Sequence, residues 1–297
     1  MDFHRIAILG PGLLGGSLAL AIRQFCPGVE IRLWARREAV VDEVKRRKLA
    51  EVASTDLSSV LTGADLVILA TPVGIMEELS RRIRETGLVS ADCIVTDVGS
   101  VKKPVMEALG KALGDSGICS IGSHPMAGSE KSGIEHARAD LFSGAPCIIT
   151  RSANPSEAGD EKAVKKLEEF WQAIGMKTCI MEPEEHDLLV ARISHLPHLV
   201  AAAMVEVAFC DGEKAIPLAG TGFLDSTRIA SGPPDMWTEI LLENRAGVMS
   251  ELKRLQTKLG ETLAFLEDMN EEGLKRFLSE AKDRRDSLGP PEVGQND

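Results

Sequence analysis

The chain has 297 residues, of which 44% are hydrophobic and 27% charged, a balance that supplies a real apolar core and rules against a disordered or fibrous protein. Asp and Glu (45) outnumber Lys and Arg (34), and the net charge of −11 argues against nucleic-acid binding, which rests on cations that neutralise phosphates. Six scattered cysteines with no C-x-x-C pair exclude a disulfide framework, leave no metal site to expect, and fit a cytoplasmic protein with reduced thiols.

The apolar run at residues 6–22 is interrupted by Gly10, Pro11, Gly12, Gly15 and Gly16 and has Asp2 ahead of it. It reads as strand, loop and helix, not as a signal peptide. Further strand-like runs follow at residues 30–34, 66–70, 93–97, 118–121, 147–150 and 177–181. Helix-like stretches at 39–48, 76–85, 105–113 and 161–173 lie between them. This alternation predicts an α/β Rossmann domain over residues 1–182, with a doubly wound, mostly parallel sheet. The near-continuous apolar run Leu66-Val67-Ile68-Leu69-Ala70 fits a strand buried on both faces.

After Pro183 the pattern turns all-helical. Residues 184–209 read as one long helix, apolar on almost every face, which predicts burial in a bundle or an interface. Arg192, Ser194, His195, His198 and Glu206 make it too polar for a comfortable membrane span, so no membrane partner is expected. Helices are predicted at 236–243, 245–269 and 271–287. Residues 183–288 are thus expected to form an all-α substrate and dimerisation domain, and 289–297 a loose tail.

Gly10-Pro11-Gly12-Leu13-Leu14-Gly15 follows a strand and opens a helix, the context in which G-x-G-x-x-G cradles a dinucleotide pyrophosphate. The second strand ends in Trp34-Ala35-Arg36-Arg37, with no acidic residue for an adenosine ribose. Arg36 and Arg37 either grip a 2′-phosphate or merely begin the next helix. They tilt the expected cofactor toward NADP, with NAD accepted. Thr71-Pro72, at the carboxyl end of the 66–70 strand, either lies near the same ligand or simply ends the strand.

Asp97-Val98-Gly99-Ser100-Val101-Lys102 and Gly122-Ser123-His124-Pro125 are read as loops leaving one sheet edge, so that Ser100 and His124 converge on the nicotinamide. Histidine is the natural base for a hydroxyl whose carbon loses hydride. Ser194, His195 and His198, three and four apart on one helix, either wall a substrate pocket or are hydrogen-bonded core residues. Arg228, in a polar island, is a carboxylate clamp or an ion-pair partner of Asp225.

Together these segments resemble the prephenate/arogenate dehydrogenase family. The resemblance runs through residues 10–15, 97–102, 124–133, 194–198 and 222–230 and through Met236-Trp237. It implies a homodimer that oxidatively decarboxylates prephenate or arogenate with NAD(P), in the biosynthesis of tyrosine. It also implies that His124, supported by Ser100, meets the ring hydroxyl, that Arg228 holds a substrate carboxylate, and that Ser194, His198 and Ser129 line the pocket. Leu224 stands where many relatives carry a lysine, so one expected cation is missing. A β-hydroxyacid dehydrogenase would need a lysine base in the helical part, and none lies between Lys177 and Lys214. A non-catalytic dinucleotide sensor would keep the glycine loop but has no reason to keep Ser100, His124, His198 and Arg228.

Overall fold

The computed structural model describes residues 3–128, 131–151 and 159–289. Ser129 and the tail from residue 290 onward lie outside the described residues. The first sheet is parallel and six-stranded. It contains β1 (Arg5–Leu9), β2 (Glu30–Trp34), β3 (Val52–Ser54), β4 (Leu66–Leu69), β5 (Ile94–Asp97) and β6 (Cys119–Ser120), in the order β3-β2-β1-β4-β5-β6. The crossovers are made by α1 (Leu13–Phe25), α2 (Glu38–Arg46), α3 (Leu57–Leu61), α4 (Met76–Thr86) and α5 (Lys103–Leu113).

Side-chain alternation explains why both faces are covered. Ile6, Ile8, Leu66 and Ile68 pack into one apolar layer with Leu18 and Ile22 of α1. Ala7, Leu9, Val67 and Leu69 pack into the other, with Leu79 and Ile83 of α4 and Val105 and Leu109 of α5. Successive residues of a strand point to opposite faces, so a run of unbroken apolar residues must be sandwiched.

Two features differ from the sequence expectation. β3 is an added strand of three half-buried residues. More consequentially, His124 does not sit in a loop. It lies in β7 (Gly122–Pro125), which pairs antiparallel with β8 (Pro146–Thr150), and β8 pairs parallel with β9 (Lys177–Met181). This second, three-stranded sheet is backed by α6 (Gly159–Ala173), whose Phe170 and Trp171 are fully buried.

The helical part begins with α7 (Pro183–Val190) and continues into α8 (Leu196–Ala208). The two are joined by a π turn at Ala191–His195, where the Leu196 N–H donates to the Ala191 carbonyl five residues back. Pro197 supplies the physical reason: it has no N–H to give and its ring crowds the carbonyl four residues earlier, so the ordinary ladder cannot pass. Such widened turns collect at functional sites. Pro183–Ala208 is, by length and mean hydropathy of 1.6, apolar enough to cross a membrane. Here its His186, Asp187, Val190, Ala191, His195, His198 and Ala201 are buried against the rest of the fold. α9 (Thr221–Thr227), α10 (Pro234–Glu243), α11 (Arg245–Glu267) and α12 (Glu271–Ser287) complete the unit.

Candidate functional site

The glycine loop has the geometry of a ligand cradle. Gly10 has φ +108°, and a Cβ there would stand 2.5 Å from the Ala70 carbonyl oxygen. A Cβ on Gly15 would stand 2.1 Å from the Gly10 carbonyl oxygen, so neither position admits a side chain. At Gly12, by contrast, an added Cβ meets nothing within 4 Å. That open space lies at the N-cap of α1, where no side chain caps the helix. The first-turn N–H groups beside Leu13 and Leu14 are therefore presented to an anion, as a pyrophosphate requires. Thr71 packs on Gly10, and its Oγ1 is buried with no hydrogen-bond partner. These residues fit a dinucleotide. Pro72 is exposed beside them, as are Arg36 and Arg37 at the end of β2. Neither arginine's side chain makes a hydrogen bond or ion pair among the described residues, while the Arg37 carbonyl accepts the Val40 and Val41 N–H groups at the start of α2.

A continuous chain of contacts leads from this cradle to the helical part. Gly99, next to Ser100, lies against Val73 of the loop after β4. Asp97, fully buried at the end of β5, accepts the Gly99 N–H at 2.8 Å and the Ser123 N–H at 3.2 Å, and it forms an ion pair with the equally buried Lys102. The Ser123 hydroxyl also meets Thr96 Oγ1 at 2.8 Å and accepts from Trp171 Nε1 at 3.0 Å. These bonds anchor β7 at the carboxyl edge of the main sheet and so set the position of His124. Ser100 is half-buried in the same region, and no hydrogen bond joins it to His124.

His124 Nδ1 lies 2.8 Å from His186 Nε2, and His186 Nδ1 lies 2.8 Å from Asp187 Oδ1. The Asp187 carboxylate in turn accepts the backbone N–H groups of Lys102 (2.7 Å) and Lys103 (3.0 Å) at the start of α5. Burial, and then the neighbouring His186, hold His124 well below the ordinary histidine range, so it is a neutral base at pH 7. Asn244 ties the assembly together, donating to the Asp187 carbonyl at 2.7 Å and meeting His195 Nδ1 at 3.2 Å. Burial pushes His195 down to about 4.

The polar helix cluster divides. His195 and His198 are buried, and His195 Nε2 and His198 Nδ1 are buried without a hydrogen-bond partner, whereas Ser194 is half-buried. His198 stacks on Trp237, with ring centroids 3.6 Å apart and planes 13° apart. Arg228 is exposed and opens the turn Arg228–Ser231. That turn ends at Gly232, where a Cβ would stand 3.3 Å from His198 Cε1. Arg228 thus begins the turn whose far end packs against His198. Sequence reasoning missed His186, Asp187 and Asn244. Their only signal was polarity on an apolar helix or at its start.

Comparison with known proteins agrees with this architecture. The family model described as "Prephenate dehydrogenase, nucleotide-binding domain" matches residues 18–180, and "Prephenate dehydrogenase, dimerization domain" matches 182–280. A prephenate dehydrogenase of Bacillus subtilis is 35% identical over 288 residues, 95% of this chain and 76% of that protein. A cyclohexadienyl dehydrogenase of Zymomonas mobilis is 32% identical, over 86% of this chain and 89% of that protein. The crystal structure of A. aeolicus prephenate dehydrogenase with hydroxyphenyl propionate and NAD+ superposes with a TM-score of 0.87 at 30% identity, covering 97% of this chain and 99% of the other. With both halves matched and the relatives covered over most of their length, the chain belongs to the prephenate dehydrogenase family.

Proposed function

We propose that this protein catalyses the NAD(P)-dependent oxidative decarboxylation of prephenate to 4-hydroxyphenylpyruvate, a step of tyrosine biosynthesis. The observation that carries the reading is the position of His124: a neutral, buried imidazole where the dinucleotide-binding sheet meets the helical part. When bound, the nicotinamide supplies the hydride acceptor. Gly10, Gly12, Leu13, Leu14, Gly15, Thr71 and Pro72 hold the dinucleotide. His124 Nε2 accepts the ring hydroxyl proton as that carbon is oxidised, with Ser100 beside the developing carbonyl. Loss of CO2 from the opposite ring carbon leaves its electron pair in the ring, which aromatises, and the oxygen takes its proton back. Ser194 and His198 wall the substrate, and Arg228 pairs with a carboxylate. The division of labour falls near residue 182, between β9 and α7.

Several further features support a homodimer built on the helical part. Ile193 and Val207 on the long helix are 60% and 73% exposed in the single chain, and Leu259, Leu263 and Leu266 of α11 are similarly bare. A second copy would take them out of water. The six free thiols fit a cytoplasmic setting. The test of the whole reading is a two-by-two assay of prephenate and arogenate against NAD and NADP. Reduction of neither cofactor with either substrate would falsify it.

Three arginines tune this scheme. Arg228→Ala should raise KM for prephenate with little change in kcat. Because Arg228 is exposed, the loss is that of one charged hydrogen bond, about 1.5–3 kcal/mol, or roughly ten- to a hundredfold in KM. An unchanged KM returns Arg228 to a structural role. For the cofactor, the absence of an acidic residue at Ala35 and the exposed Arg36 and Arg37 favour NADP, with NAD accepted. The expected result is that Arg36→Ala with Arg37→Ala lowers kcat/KM for NADP by about tenfold or more and spares NAD. A strong NAD preference that survives the double substitution shows that the arginines do not read the cofactor.

A further inference from the structure

Behind His124 stand His186 and Asp187, and their hydrogen bonds permit only certain proton arrangements. Asp187 Oδ1 is an acceptor, so His186 Nδ1 must carry a proton to make its 2.8 Å contact. If His186 is neutral, its Nε2 is bare. His124 must then donate from Nδ1 across the 2.8 Å gap, which leaves His124 Nε2 unprotonated and basic. If His186 is instead doubly protonated, the direction reverses: His186 Nε2 donates to a bare His124 Nδ1, and His124 carries its proton on Nε2. Both arrangements satisfy every contact of the chain, and they differ by one proton.

We propose that His186, backed by Asp187, is a reversible proton store for His124, and the inference rests on the prephenate reaction proposed above. The substrate hydroxyl proton passes to His124 Nε2 as the ring carbon is oxidised. The His124 Nδ1 proton moves to His186 Nε2, and the positive charge rests on His186 against the Asp187 carboxylate. After CO2 has left, the ring holds its electron pair as a phenolate. The two protons then retrace their path and the phenol forms. No proton is gained or lost overall, which suits a closed chain better than an exit to solvent.

The surroundings fit a store that is empty at rest. Near the two imidazoles are Asp97 at the end of β5, Lys102 from the loop after it, His195 from the π turn and Asp187 from α7 itself. Burial pushes His186 down, while its hydrogen bond to Asp187 opposes that push. The imidazolium is thus disfavoured before turnover yet has its counter-ion in place.

The experiment has two arms. Nitrogen-15 NMR of the wild-type protein, without substrate, should show His124 as the Nδ1–H tautomer; an Nε2–H tautomer overturns the proposal whatever the enzyme turns over. His186→Gln keeps an acceptor near the Nε2 position but cannot take up a proton. It should leave the KM for prephenate, the dinucleotide Kd and the Tm near those of wild type while lowering kcat on the order of 10²-fold, the usual worth of positioned proton transfer. A wild type that turns over prephenate alongside a His186→Gln variant of near-normal kcat overturns the store and leaves the reaction standing. A wild type inactive on prephenate overturns the reaction itself.

Discussion

His124→Asn is expected to lower kcat by about 10²–10⁴-fold, the range of a positioned acid–base group, with dinucleotide affinity unchanged. Asparagine keeps a polar group facing His186 but offers no basic nitrogen to the substrate hydroxyl. Cofactor binding should persist because the cradle is built by Gly10, Gly12 and Gly15 after β1 and Thr71 after β4, whereas His124 lies in β7 of the second sheet. Stopped-flow turnover and a cofactor titration of the same variant check both halves. A variant with near-normal turnover removes His124 from the chemistry, and one that loses the cofactor shows the damage to be structural.

The largest effect on stability is expected at Lys102→Met. Lys102 and Asp97 are both fully buried, and their ion pair sits beneath the strand that carries His124. Removing the cation leaves a buried carboxylate with, among the described residues, the Gly99 and Ser123 N–H groups as its remaining hydrogen-bond donors. Breaking one side of a buried pair costs about 3–5 kcal/mol. Replacing both partners, as in Asp97→Asn with Lys102→Met, should recover part of that loss, because no lone charge remains. Denaturant unfolding of the single and double variants measures the difference. Equal stability of the single variant and wild type would show that the pair contributes nothing.

Much of this was legible in the chain itself. Patterns of local origin carried over well: the apolar strands β1, β2 and β4, the helix following the glycine loop, and the all-helical part after Pro183 each follow from a few neighbouring residues. What escaped was set by contacts between distant residues. Gly122-Ser123-His124-Pro125 has no strand-forming composition. It becomes β7 because Asp97, 26 positions away, accepts its N–H and because β8 pairs with it. β3 is three half-buried residues with no apolar run to announce it. His186 lies 62 positions from His124, and nothing in either segment points to the other. The ligand loop was readable because glycine spacing reports backbone geometry directly. The apparatus behind the base was not, because a hydrogen bond across the fold leaves no mark in local composition.

The π turn between α7 and α8 carries a consequence of phase. Each residue of an α-helix advances about 100° around the axis, so His186 and His198 would point about 120° apart on an uninterrupted helix. The widened turn absorbs one residue, and the two histidines then point within about 20° of each other, as their shared burial requires. The alignment of His186 with His198 is therefore fixed by residue count, not by composition. Shortening the turn by one residue would restore plain helix and keep the two in phase. Lengthening it by one would swing His198 about 100° away and dismantle the site without altering a single side chain that lines it.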